Sequence, residues 1–173
     1  MLSIPTLTTP RLTLRPFTQN DDKHLHRIMN EPKIMQFFPN TEPPGMERVQ
    51  KIIENQLNHW DEHKLGWWAV FQNGQTELIG WNGLQYLPET DEVEVGYLLS
   101  RQFWGQGLAT EGAKASLEFG FKTLGLPQII GLTHPENTAS QNVLKKCGMH
   151  YVERKEYFGM QLFCYVLSNL VNA

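Results

Sequence analysis

RQFWGQGLATEG, residues 101–112, sets two glycines one residue apart, directly before a stretch with helical spacing. Glycine loses more backbone entropy on folding than any other residue, so it belongs where φ must be positive or where something approaches the backbone closely. Ahead of the loop, VEVGYLLS (93–100) reads as a strand. Behind it, residues 108–124 place Ala109, Ala113, Leu117, Phe121 and Leu124 along one small apolar face of a helix. A strand, a glycine turn and a helix start together suit a diphosphate, because the first-turn N–H groups lack helical partners and the helix dipole favours negative charge there. The bland alternative is a bent connector that binds nothing.

Two familiar phosphate loops fit poorly. A dinucleotide-binding turn needs a third glycine or alanine where Thr110 stands, and an acid after the next strand, which ends in His134-Pro135. A Walker loop needs Gly-Lys-Ser/Thr, which does not follow.

Outward from the loop, the chain alternates between two periodicities. RLTLRPF (11–17) predicts a strand, and Asn20 or Asp21 caps a helix reaching about Asn30. PPGMERVQKIIENQLNHWDEHK (43–64) spaces Val49, Ile52, Ile53, Leu57 and Trp60 helically. Strands follow at 67–72, 77–87 and 93–100, joined by turns at Asn73-Gly74 and near Pro88. QIIGLT (128–133) is a buried strand; 138–147 is a helix with Thr138 and Gln141 spaced as a capping box and Gly148 as its stop. A strand pair around Gly159 closes the chain. The expected fold is a mixed α/β domain over residues 1–173: an antiparallel meander, a strand–helix–strand–helix unit and a hairpin.

Composition narrows the function. At 173 residues the chain suits one domain with a real core. Lys+Arg 15 against Asp+Glu 18 leaves a net charge of -3, so no basic field argues for nucleic acid. Cys147 and Cys164 form neither metal spacing nor a disulfide framework, and no signal-peptide layout or membrane-length apolar run occurs. A soluble cytoplasmic protein is expected, with no membrane or nucleic-acid partner.

Gln102-x-x-Gly105-x-Gly107, after Glu-Val-Gly-Tyr and before Leu-Ala-Thr-Glu, resembles the acetyl-CoA signature of the GNAT N-acetyltransferases. HPENTASQNVLKKCGM (134–149) resembles a second block of that family, and TPRLTLRPFTQNDD (9–22) its first strand and turn. The likeness covers about residues 9–165 and is strongest to the branch containing ribosomal-protein N-terminal acetyltransferases. It implies the GNAT acyltransferase fold: a mostly antiparallel sheet of about seven strands, splayed between the fourth and fifth, with about four helices. It implies acetyl-CoA as co-substrate, no metal, and direct attack by a primary amine, either a protein N-terminus or a small amine.

The resemblance also implies roles. Backbone N–H groups of about residues 102–108 would hold the CoA pyrophosphate. The expected cofactor-binding set is Leu98, Leu99, Ser100, Gln102, Phe103, Trp104, Gly105, Gln106, Gly107, Leu108, Ala109, Thr110, Asn137, Ser140 and Lys145. An N–H near Leu98 or Leu99 would polarise the thioester carbonyl. Lys145, Lys146, Arg101 and Lys114 are the candidates for the 3′-phosphate. An attacking amine must lose a proton, for which Glu94 is the first candidate and Glu92 the second, both on one face of their strand. Glu89 and Asp91 extend this acidic cluster, which would attract a cationic acceptor. The departing thiolate needs an acid. Many family members place a tyrosine where this chain has Leu144, leaving Ser140 as candidate, with Tyr97, Tyr151 and Tyr157 as fallbacks. The alternatives are a non-catalytic acyl-CoA-binding module and, more remotely, a nucleotide-binding oxidoreductase. An exposed last strand leaves monomer and homodimer both open.

Other patterns are structural first. HWDEH (59–63) matches an inverted zinc-peptidase motif, but its histidines flank the apolar stripe of their helix, as groups at an exposed helix end do. Trp60, Trp67, Trp68, Trp81 and Trp104 could build an aromatic acceptor pocket, but the core is the first expectation, save for Trp104, which packs under the glycine turn or screens the cofactor. Cys147 is a buried helix-end residue with no base beside it.

Overall fold

The computed structural model describes residues 4–169; the first three and last four residues of the expected 1–173 domain lie outside them. The elements in chain order are β1 (Leu7–Thr8), β2 (Leu12–Arg15), α1 (Asp22–Met29), α2 (Met46–His63), β3 (Trp67–Gln72), β4 (Leu78–Leu87), β5 (Glu92–Leu99), α3 (Leu108–Glu118), β6 (Gln128–Thr133), α4 (Thr138–Lys146), β7 (His150–Tyr157) and β8 (Met160–Ser168). They form one eight-stranded sheet in the order β1-β2-β3-β4-β5-β6-β8-β7. The count exceeds the expected seven by β1, whose two residues pair with Leu14 and Thr13 of β2 and are too few to show a period.

Every neighbouring pair is antiparallel except β5 and β6, which run parallel and meet at one position, Glu94↔Ile130. β4 and β5 stay paired from Leu87↔Glu92 to Gly80↔Leu99, so the sheet opens on the β6 side beyond Glu94. The expected splay therefore lies between β5 and β6. Strand alternation divides the core about this sheet. Leu84, Val95 and Leu99 pack with Leu108, Ala113 and Leu117 of α3 and Leu144 of α4. Ala69, Phe71, Trp81 and Leu98 pack on the other face with Leu25 and Ile28 of α1 and Val49 and Ile53 of α2. Adjacent Leu98 and Leu99 thus anchor opposite layers, as a two-residue period requires.

Two local expectations change. α4 is capped by Asn137, whose Oδ1 accepts the Ser140 amide at 3.1 Å, and not by a box from Thr138; the Gln141 side chain instead donates to the Pro135 carbonyl at 2.8 Å. Its end follows expectation: the amides of Gly148 and Met149 donate back to the carbonyls of Lys145 and Leu144. α3 ends at Glu118, and residues 119–123 continue as a π-helical turn. Gly120 faces Ile129 and Leu84 there, where a Cβ would lie 2.6 Å from Ile129 Cδ1.

Candidate active site

The open edge of β5 supplies the first elements of the site. Ser100 donates its amide to the Ile79 carbonyl of β4 at 2.8 Å, whereas the Leu99 carbonyl accepts the Trp104 indole N–H at 2.7 Å. Backbone groups alternate sides along a strand, so the Leu98 amide faces β4 and the Leu99 amide faces the gap. A cavity of about 610 Å³ extends from this edge to the glycine loop. Of the expected cofactor-binding residues, Leu98 and Leu99 line it from β5, and Phe103, Trp104, Gly105 and Gly107 from the loop. Leu108, Ala109 and Thr110 line it from α3, and Asn137 and Ser140 from α4.

The loop forms a cradle for local reasons. Gly105 and Gly107 have φ of 72° and 77°, a left-handed conformation that costs an L-residue roughly 1–2 kcal/mol. A Cβ on Gly105 would meet nothing within 4 Å, so the glycine leaves its side of the loop open. The Glu111 amide donates to the Gly107 carbonyl, which leaves the Leu108, Ala109 and Thr110 amides without helical partners. Upstream the backbone is differently engaged. The Phe103 and Trp104 amides bond the Ser100 and Arg101 carbonyls in a 3-10 turn, and the Arg101 amide bonds Glu31 at 2.7 Å. The Arg101, Phe103 and Trp104 amides are thus engaged within the protein. Unpaired amides at a helix start, with no side chain to obstruct them, fit a diphosphate.

Four expected residues stand off the cavity wall, three of them with another task. The Ser100 hydroxyl donates to Glu31 at 2.6 Å; the Gln102 carbonyl accepts Gln106 Nε2 at 2.9 Å; the Gln106 carbonyl accepts Arg11 Nη1 at 2.9 Å. Lys145 is replaced on the wall by Lys146, the next residue around the helix. Lys33, in the segment between α1 and α2, also lines the cavity, whereas Arg101 and Lys114 do not. The loop is braced from the other end of the sheet. Arg11 Nε donates to Glu111 at 2.6 Å, and the Arg11 amide and Thr9 hydroxyl donate to the same carboxylate. Burial opposes ionisation of Glu111, but the bonds from Thr9 and Arg11 outweigh it and hold the group below its usual range.

A second cavity of about 280 Å³ meets the first at Phe37, Phe38, Tyr97, Asn137 and Ser140, which line both. Glu94 lies on its wall. Desolvation on this partly exposed wall pushes the carboxyl up to about 8. Glu92 is on the same strand face but off the cavity: its Oε2 accepts the Tyr157 hydroxyl at 2.9 Å. The two glutamates expected together are thus separated. Conversely, the structure joins two groups that the sequence had kept apart. The Tyr97 hydroxyl lies 2.9 Å from Ser140 Oγ and 3.2 Å from the Ser140 carbonyl, where the cavities meet. Burial holds the Tyr97 phenol far above its ordinary range, so it stays protonated and acts as a donor.

The remaining sequence candidates resolve structurally. His59 Nε2 accepts the Tyr86 amide at 3.1 Å, and among the described residues no three His, Cys, Asp or Glu side chains are grouped to hold a metal ion. Cys147 is buried and its thiol is pushed up to about 11 by that burial. Trp60 and Trp68 are core, and Trp104 is 49% exposed beside the glycine loop. Trp67 and Trp81 do more than the expected packing: they stack face to face at 3.7 Å and form a wall of the smaller cavity. Among the described residues, no helix is long and apolar enough to cross a membrane.

Residues 11–150 match the family described as Acetyltransferase (GNAT) domain, and the chain belongs to that family. The expectation of a GNAT N-acetyltransferase is thereby met. A relative from Aspergillus fumigatus, FsC-acetyl coenzyme A-N(2)-transacetylase, is 32% identical over 158 residues; the match covers 86% of this chain and 66% of that protein. An acetyltransferase structure from Agrobacterium tumefaciens superposes with a TM-score of 0.85 at 28% identity, covering 96% of each chain. A ribosomal L7/L12 alpha-N-protein acetyltransferase solved with coenzyme A gives 0.80 at 18% identity, covering 95% of this chain and 97% of that one, a likeness of fold.

Proposed function

We propose that the protein transfers the acetyl group of acetyl-CoA to a primary amine, by direct attack within a ternary complex. The observation that carries this reading is the meeting of two cavities at Tyr97, Asn137 and Ser140, with an amide cradle in one and Glu94 in the other. The bound co-substrate supplies an activated thioester acyl group. The amides of Gly105 and of the first turn of α3 hold its diphosphate, and Lys33 and Lys146 offer charge to its remaining phosphate. The Leu99 amide donates to the thioester carbonyl from the open edge of β5.

Glu94 takes the proton that the amine must lose. An ordinary carboxylate lies about six units below a primary alkylammonium near 10.4, which makes the transfer uphill by roughly 8 kcal/mol. With Glu94 raised to about 8, the gap narrows to about 3 kcal/mol, and for an α-amine near 8 it nearly closes. The Ser140 hydroxyl, held 2.9 Å from the Tyr97 phenol, hydrogen-bonds the departing sulfur, which takes its proton from solvent as coenzyme A leaves. Asn137 holds the amide of Ser140 and so fixes where that hydroxyl stands.

The test is free-thiol release from acetyl-CoA across a panel of amines and short peptides, with the wild type and Glu94→Gln. Turnover by the wild type that falls at least a hundredfold in the variant, at unchanged CoA affinity, is the expected result. Equal turnover by both proteins would remove Glu94 from the chemistry.

A further inference from the structure

The walls of the smaller cavity carry little charge. Among the described residues, Glu94 is the one carboxylate on its lining, and no lysine or arginine belongs to it. His134 is occupied: its ring stacks on Phe37 at 5.2 Å and its Nδ1 accepts the Glu136 amide. The acidic cluster expected to draw a cationic acceptor is dispersed, since Asp91 accepts the Tyr86 hydroxyl and Glu92 the Tyr157 hydroxyl, both off this cavity.

What the cavity offers instead is aromatic surface. The Trp67–Trp81 stack is 7° from parallel, and Phe38 meets Trp81 edge-on at 6.4 Å. Phe37 and the half-exposed Phe158 belong to the lining as well. At about 280 Å³ the space is small for a ligand pocket, which ordinarily starts near 300 Å³.

Resting on the assignment of this cavity to the amine, we propose that the acceptor is a compact monoamine with an aromatic or branched apolar body and no carboxylate beside the amine. The ammonium pairs with Glu94 and lies against aromatic faces that favour a cation. A carboxylate on the neighbouring carbon would be desolvated with no lysine or arginine of the lining to meet it. A second ammonium, as in a polyamine, would enter an apolar wall without a second acid. A peptide would have to lead its following residues out past the half-exposed Phe158, since the cavity itself takes little more than one side chain.

The experiment compares kcat/KM of the wild-type protein for phenethylamine, phenylalanine, spermidine and a phenylalanyl-glycine amide at saturating acetyl-CoA. Phenethylamine is expected to exceed each of the others by on the order of a hundredfold. Phe158→Ala, at an exposed position that leaves the fold intact, is expected to raise KM for phenethylamine about fivefold or more, with KM for acetyl-CoA unchanged. Preference for spermidine, for the peptide or for phenylalanine would overturn the acceptor class while leaving acetyl transfer standing. Thiol release with none of the four, nor with any other amine, would instead overturn the acetyl-transfer reading on which this one rests.

Discussion

Glu94→Gln keeps the shape of the side chain and removes its charge, and it separates the base from the fold in a single variant. The folded carboxyl titrates near 8 against 4.5 for an ordinary one, so the folded state holds a proton that the unfolded chain has already released. Below pH 4.5 both states are protonated and the group contributes no pH dependence. Between 4.5 and about 8 stability falls by about 1.4 kcal/mol per pH unit, and above 8 the loss is complete. The full loss is on the order of 5 kcal/mol, reduced to roughly 2–4 kcal/mol by water entering the cavity. Glutamine carries no such penalty. For a chain of this length 1 kcal/mol corresponds to about 2–4 °C. Thermal unfolding should therefore show the variant melting about 5–10 °C above the wild type at pH 9, with a difference under about 3 °C at pH 5. In thiol-release assays the same variant should lose about 10²–10⁴ in kcat/KM, together with the wild-type rise in kcat/KM as pH approaches 8. A melting difference that is the same at both pH values would refute the desolvated carboxyl, and retained turnover would refute its role as base.

Gly107→Glu places a carboxylate at the cradle and forces a left-handed φ of 77° on a side chain. KM for acetyl-CoA should rise at least a hundredfold, while circular dichroism shows a folded protein only a few degrees less stable. Tyr97→Phe removes the hydroxyl that lies 2.9 Å from Ser140 Oγ, so kcat should fall about tenfold with KM for acetyl-CoA unchanged. Ser140→Ala should cost no less, and the double variant should match Ser140→Ala alone, since Tyr97 acts through that hydroxyl. Arg11→Met cuts the side-chain bonds from the residue just before β2 to the Gln106 carbonyl and the Glu111 carboxylate. KM for acetyl-CoA should rise about three- to tenfold with kcat within twofold, as steady-state kinetics will register.

Local rules of the chain made much of this legible. Gly105 and Gly107 announce positive φ ahead of an apolar helix wherever they occur, and alternation alone puts Glu94 and Leu98 on one face of β5. Resemblance across three sequence blocks supplied the fold. What the sequence could not disclose depends on distances between elements or on helical phase. Tyr97 reaches Ser140 only because β5 and β6 part beyond Glu94, a geometry with no local signature. Glu92 follows the same alternation as Glu94, yet Tyr157 on β7 captures it. Lys145 and Lys146 differ by one step around α4, too fine for spacing to resolve. Thr138 and Gln141 had the spacing of a capping box, but the Asn137 oxygen reached the Ser140 amide first. Phe37, Phe38 and Lys33 lie between α1 and α2, where no period marks them for either cavity.

The most direct measurement is a crystal structure with coenzyme A and the best amine from the panel. The diphosphate should lie on the amides of Gly105, Leu108, Ala109 and Thr110, the sulfur beside Ser140 Oγ, and the amine nitrogen within reach of Glu94. A diphosphate bound away from that loop, or an amine outside the Trp67–Trp81 cavity, would contradict the arrangement of the two substrates.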